Sequence, residues 1–311
     1  MTAHSSITTQ ILSRPFQGVD DHTRVRRFLQ DTYRLTGKYH NWEIRRWEGQ
    51  WYWGKLDKSL AWGEHVRLWE TESGQLVGVA HTEGSLGNAW FEIHPDYRHL
   101  EDEMLTWAEA HLAAPNQEGR QQLVIEVYDY DVSRQTMLAR RGYEALAEYG
   151  YLRWRPAAAP IPDAIVPEGY TVRSLKRGEW RDTKGWLAVI SAVFSHVKAI
   201  PNDIAVFQSS PIYRHDLHLI VEAPDGSFAA FAGLTVDEVS QTAIFEPVGT
   251  HPDHRRKHLA QVVMVEGLRR LRAFDIETVY VGTGEMIPAN GLYESLGFTD
   301  YHRSQAWRKL F

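Results

Sequence analysis

The chain has 311 residues, 43% of them hydrophobic and 24% charged, a globular composition long enough for two domains. A net charge of −6 argues against a bulk nucleic-acid footprint, because neutralising phosphates needs a basic face. No cysteine occurs, which excludes disulfides, thiolate zinc sites, iron–sulfur clusters and thiol nucleophiles.

The apolar runs fall far short of the roughly 20 residues that span a bilayer, and residues 1–10 are too polar for a signal peptide. The expectation is a cytoplasmic protein without membrane or nucleic-acid partners.

The elements come in two matching series. The first opens with a strand at 11–16 and a charged helical stretch at 19–36. A Trp-rich segment over 42–53 follows, which either packs a helix and loop onto a sheet or walls a substrate cleft. A hairpin pairs 65–70 with 75–81 around Ser73-Gly74, and a strand at 88–93 ends in His94-Pro95-Asp96. A helix at 100–113, a strand at 123–127, a small helix closing at Gly142-Tyr143 and a strand at 146–154 complete the series. Residues 155–169 hold four prolines and no apolar periodicity, and read as a semi-rigid linker.

The second series repeats the first. It has a strand at 170–175, a helix at 177–194 and a hairpin of 216–222 with 227–236 around Asp225-Gly226. A strand at 242–250 again ends in His-Pro-Asp, at 251–253. A helix over 256–273, a strand at 278–281, a small helix closing at Gly297-Phe298 and a strand at 301–308 follow. Strands mixed with helices in this order predict an α+β fold, a mixed sheet with a parallel pair at its centre.

The strongest chemical signal runs from Glu246 to Gln261. A strand passes through a basic turn, Arg255-Arg256-Lys257-His258, into a helix with Leu259, Val263, Leu268 and Leu271 on one face. Unpaired N–H groups and the positive dipole end suit such a helix start to an anionic phosphate. Pro247, lacking an N–H, suits a bulge or an opening in the sheet. His251, His254 and His258 share a metal-like spacing, but no carboxylate follows in an H-E-x-x-H arrangement, and no metal is expected.

The pattern Val248-x-Thr250-x-Pro252-x-x-Arg255-Arg256-x-x-Leu259-Ala260 resembles the acetyl-CoA motif of the GNAT (Gcn5-related N-acetyltransferase) superfamily. Ala289-Asn-Gly-Leu-Tyr293-Glu-Ser-Leu-Gly-Phe298 is similar to its second signature. The resemblance covers 170–310 well and 11–154 as a faded copy. It implies two tandem GNAT-like acyl-CoA N-acyltransferase domains: a degenerate copy at 1–155 without cofactor, a linker at 156–169, and a working domain at 170–311.

It further implies acetyl-CoA as co-substrate. Val248, Gly249 and Thr250 would pair with the pantetheine arm. Backbone amides from Arg256 through Lys257, His258, Leu259 and Ala260 to Gln261 would cradle the diphosphate, with Arg255 adding charge. Glu246 would be the base and Tyr293 the acid in direct transfer of acetyl to a primary amine of a small molecule or peptide.

His258 stands where that family usually has Gly, so its loop must shift or turn the imidazole outward; Met286 stands where Asn is frequent. The first copy puts Glu101, Asp102 and Glu103 at the corresponding helix start, which repels an anionic ligand, and Met137 or Leu138 near the donor position. The alternative reading is a non-catalytic acyl-CoA sensor or scaffold module.

Overall fold

A computed structural model describes residues 10–52, 61–195 and 200–311; Trp53 lies outside them. The contacts divide the chain into two units, 1–147 with 305–311, and 148–304. The stretch read as a linker thus belongs to the second unit, and the chain's end belongs to the first.

In chain order the first half forms β1 (Ile11–Pro15), α1 (Val19–Thr36), α2 (Ile44–Tyr52), β2 (Val66–Thr71), β3 (Leu76–His81), β4 (Asn88–Ile93), α3 (Glu101–His111), β5 (Ala114–Pro115), β6 (Gln121–Tyr128), α4 (Val132–Arg140) and β7 (Glu144–Pro156). The second forms β8 (Thr171–Ser174), α5 (Trp180–Val193), α6 (Pro201–Phe207), β9 (His218–Glu222), β10 (Phe228–Asp237), β11 (Thr242–Thr250), α7 (Leu259–Leu271), β12 (Thr278–Thr283), α8 (Ile287–Ser295) and β13 (Asp300–Leu310). Among the described residues no helix is long and apolar enough to cross a membrane.

The first unit's sheet runs β1-β2-β3-β4-β6 and ends on the 305–310 stretch of β13. Trp307 packs on that unit's core, and the Phe311 N–H donates to Gln121 O at 2.9 Å. The second unit's sheet runs β8-β9-β10-β11-β12 and ends on β7, paired antiparallel from Thr278↔Pro156 to Thr283↔Tyr151. Each sheet contains a parallel pair, β4 with β6 in the first unit and β11 with β12 in the second.

The internal repeat extends to a half-buried ion-pair device. Arg14 clamps Asp21 and Glu70 in the first unit, and Asp21 also accepts from the Gln17 N–H. Arg173 clamps Asp182 and Glu222 in the second, and Asp182 accepts from the Lys176 N–H. In each unit the arginine ties the edge strand to the first helix and to the next strand. The turns repeat as well: His94 Nδ1 accepts from the Asp96 N–H, and His251 Nδ1 from the Asp253 N–H, both at 3.3 Å.

The two cores differ in chemistry. In the second unit α7 buries Leu259, Val263, Met264, Leu268 and Leu271 against Leu219, Ala230, Leu234 and Phe245. Gly267 makes that approach possible, because a Cβ there would stand 2.8 Å from the Phe245 ring. In the first unit Trp42, Trp47, Trp62 and Trp69 are all buried. The indole N–H groups of Trp47 and Trp62 donate to the backbone carbonyls of His22 and Thr82. Arg46 lies over Trp42 and Trp90, 4.8 and 4.1 Å from the ring centroids. Within the cluster Trp42 and Trp47 are therefore core residues, and Trp42 also carries the Arg46 guanidinium; Trp51 is half-buried.

Candidate active site

The site is built where β11 leaves β12. Their parallel pairing runs from Thr242↔Thr278 to Phe245↔Val281 and stops. Glu246 and Pro247 then bulge, and the register with β10 shifts between Ala232 and Leu234. Gly233 faces the bulge, where a Cβ would lie 2.9 Å from Glu246 O. Val248, Gly249 and Thr250 rejoin β10 opposite Ala232, Phe231 and Ala230. Beyond Phe245 the other edge of β11 has no partner strand among the described residues. The three residues are half-buried, so that edge is open to an added strand-like chain.

The chain then turns through Pro252–His254 into α7. The helix begins at Leu259, three residues after the sequence expectation, because Arg256 and His258 take left-handed φ values of 61° and 58°. Such values cost a residue with a Cβ roughly 1–2 kcal/mol and cluster at ligand clamps. They point Arg255, Arg256, Lys257 and His258 into solvent. His258 makes no side-chain cap, the first turn carries no acid, and the first intrahelical bond joins the Val262 N–H to His258 O. The N–H groups at the start of α7 are thus left for an anion. Among the described residues neither Arg255 nor Arg256 has an acidic partner; the Lys257 ammonium donates to Tyr170 Oη at 2.8 Å.

Tyr293 lies on α8, 7% exposed, with its ring against Phe298. Burial, and then the nearby Glu246 charge, push its hydroxyl up to about 12. The phenol therefore keeps its proton at neutral pH. Glu246 itself is exposed at the bulge.

Two arginines on β7, unmarked by any sequence motif, fix α8. Arg153 donates to Asn290 Oδ1 at 2.7 Å, to Glu294 at 2.8 Å and to Phe298 O at 3.1 Å. Arg155, 1% exposed, donates to Leu296 O and to the carbonyls of Ala159 and Pro160. Asn290 in turn donates to Gly284 O and Met286 O.

The first unit fills the corresponding opening with its own side chains. β4 pairs with β6 only at Asn88↔Val124 and Ala89↔Ile125. Beyond that, Asn41 accepts from the Ile93 N–H and donates to Ile93 O, and Arg134 donates to Phe91 O. At the start of α3 the Glu101 carboxylate, 4% exposed, accepts from Arg98 and Arg134. An open cleft of about 370 Å³ lies beside it, with Glu101 and Asp102 on its wall. Leu138, fully buried, occupies the place of Tyr293: the Tyr143 N–H donates to Leu138 O as the Phe298 N–H does to Tyr293 O. Among the described residues no group of three His, Asp or Glu side chains could hold a metal, His251, His254 and His258 included.

Comparison with known proteins agrees with this geometry. The fold is that of acyl-CoA N-acyltransferase-like domains, present twice. It superposes on a GCN5-related N-acetyltransferase from Sphaerobacter thermophilus with a TM-score of 0.63 and 16% identity, covering 96% of this chain and 95% of that one. It superposes on a tandem GNAT protein from the clavulanic acid biosynthesis pathway with a TM-score of 0.64 and 16% identity, covering 97% and 98%. Residues 186–298, all within the second unit, match the model of the Acetyltransferase (GNAT) family.

Among its relatives is a mycothiol acetyltransferase of Pseudarthrobacter chlorophenolicus, 29% identical over 172 residues, 52% of this chain and 53% of that protein. The chain thus spans about half the length of that relative. A mycothiol acetyltransferase of Streptomyces bingchenggensis is 25% identical over 261 residues, 78% of this chain and 80% of its own.

Proposed function

We propose that the second unit moves an acetyl group from acetyl-CoA to a primary amine, directly within a ternary complex. The observation that carries this reading is the open edge of β11 running into an uncapped, basic helix start. Val248, Gly249 and Thr250 offer backbone groups to pantetheine. Amides from Arg256 to Gln261 receive the diphosphate, with Arg255, Arg256 and Lys257 supplying charge. The exposed His258 imidazole leaves the backbone accessible, which answers the absence of the usual glycine.

Acetyl-CoA supplies an activated acyl group. Glu246, directly or through water, takes the proton that the ammonium form of the acceptor must lose before its nitrogen can attack the thioester carbonyl. As the tetrahedral intermediate collapses and the carbon–sulfur bond breaks, Tyr293 gives its proton to the departing thiolate, and the second proton shed by the acetylated nitrogen reloads the phenol. The first unit holds no co-substrate, because Asn41, Arg134 and Glu101 occupy the corresponding opening.

Thiol release from acetyl-CoA across a panel of amines tests the reading. The mycothiol acetyltransferase relatives make small-molecule amines the first arm, with peptide amines second. We expect amine-dependent release of free thiol matched by acetylated amine. Binding of coenzyme A without turnover on any amine would instead favour a sensor.

A further inference from the structure

We propose that Tyr170 is a positioning residue for the diphosphate-binding turn, an assignment that rests on the cofactor reading above. Its hydroxyl touches two residues of that turn and no group expected to touch the reacting atoms. The Lys257 ammonium donates to Tyr170 Oη at 2.8 Å, and the same oxygen lies 3.0 Å from His254 Nδ1. An ammonium can only donate, so the phenolic proton is free to go to His254 Nδ1. The contacts of the ring agree: His254 stands edge-on at 5.9 Å and 85°, and Lys257 lies 5.3 Å from the ring centroid.

His254 and Lys257 bracket Arg255 and Arg256. One hydroxyl thus grips both shoulders of a segment whose Arg256, at φ 61°, and next-but-one residue His258, at φ 58°, are left-handed without being glycine. Such conformations persist only where surrounding contacts over-determine them. Tyr170 is itself anchored, by packing on the core of the second unit and by its N–H donating to Pro167 O at 3.1 Å. Lys257 keeps two further N–H donors for phosphate.

The chain contains its own comparison. Leu12 pairs with Glu70, and Thr171 with Glu222, the two glutamates that the equivalent Arg14 and Arg173 clamp. This register puts Ile11 where Tyr170 stands. The first unit's turn therefore lacks the hydroxyl, and no residue other than glycine with positive φ occurs there. Brace and strained turn are present together in one unit and absent together from the other.

The test compares wild type with Tyr170→Phe, which keeps the ring and removes the oxygen. Titration with coenzyme A is expected to show a Kd raised roughly tenfold, the worth of one or two net hydrogen bonds. The kcat at saturating acetyl-CoA and kcat/KM with S-acetylpantetheine (which lacks the diphosphate) should stay as in wild type. His254→Gln, which restores an acceptor for the phenol, should bind coenzyme A more tightly than His254→Val. An unchanged Kd in Tyr170→Phe, or an equal loss with S-acetylpantetheine, overturns the assignment while leaving the cofactor reading intact. Failure of the wild type to bind coenzyme A overturns both.

Discussion

Tyr293→Phe is expected to lower kcat for amine acetylation by about 10²-fold or more, with Kd for coenzyme A changed by less than about twofold. The substitution removes one oxygen and keeps the ring that packs on Phe298. A thiolate leaving without a proton donor carries its full charge in the transition state, whereas the ground-state complex gains little from the phenol. Because burial and the Glu246 charge raise the hydroxyl's pKa to about 12, the acid stays loaded while the acceptor amine becomes neutral. The rate of the wild type should therefore rise with pH as the amine deprotonates, and fall only when the phenol ionises. Thiol release against pH measures this; equal kcat in the two proteins would remove Tyr293 from the chemistry.

Arg155→Met should destabilise the second unit by about 3 kcal/mol or more. The guanidinium is fully buried and, among the described residues, has no carboxylate partner; its hydrogen bonds go to the carbonyls of Leu296, Ala159 and Pro160, with a longer one to Pro156 O. Burial and the neighbouring Arg272 lower its pKa, so the charge is held against desolvation by these carbonyls. Met fills similar volume but leaves the Leu296 and Pro160 carbonyls without this donor, each costing roughly 1–3 kcal/mol where buried, while Ala159 O keeps its bond from Arg272. Leu296 ends α8, so kcat should fall with stability. Urea denaturation followed by circular dichroism tests this; an unchanged transition would mean that the carbonyls find water instead.

Much of this molecule could be read from its residues, for physical reasons that differ from place to place. The two hairpins, the two His-Pro-Asp turns and the apolar face of α7 are local patterns, and local patterns survive in sequence. The start of α7 was misplaced because left-handed Arg256 and His258 carry no glycine to mark them. The proline-rich stretch after Arg155 looked like a linker since its composition hides what its carbonyls accept: hydrogen bonds from Arg155 and Arg272. The placing of 305–311 in the first unit was equally hidden, because β13 and β7 have similar patterns and only long-range packing decides which sheet each completes. In the site, Glu246 and Tyr293 stood in motifs; Arg153, Asn290 and Tyr170 act through contacts between residues more than 80 positions apart, which no spacing announces.

A crystal structure of the chain with coenzyme A tests the central claim most directly. The account predicts one molecule per chain, its diphosphate within about 3 Å of the amides between Arg256 and Gln261 and its sulfur within hydrogen-bonding reach of Tyr293 Oη. Coenzyme A bound beside α3 of the first unit, or a sulfur remote from Tyr293, would contradict it.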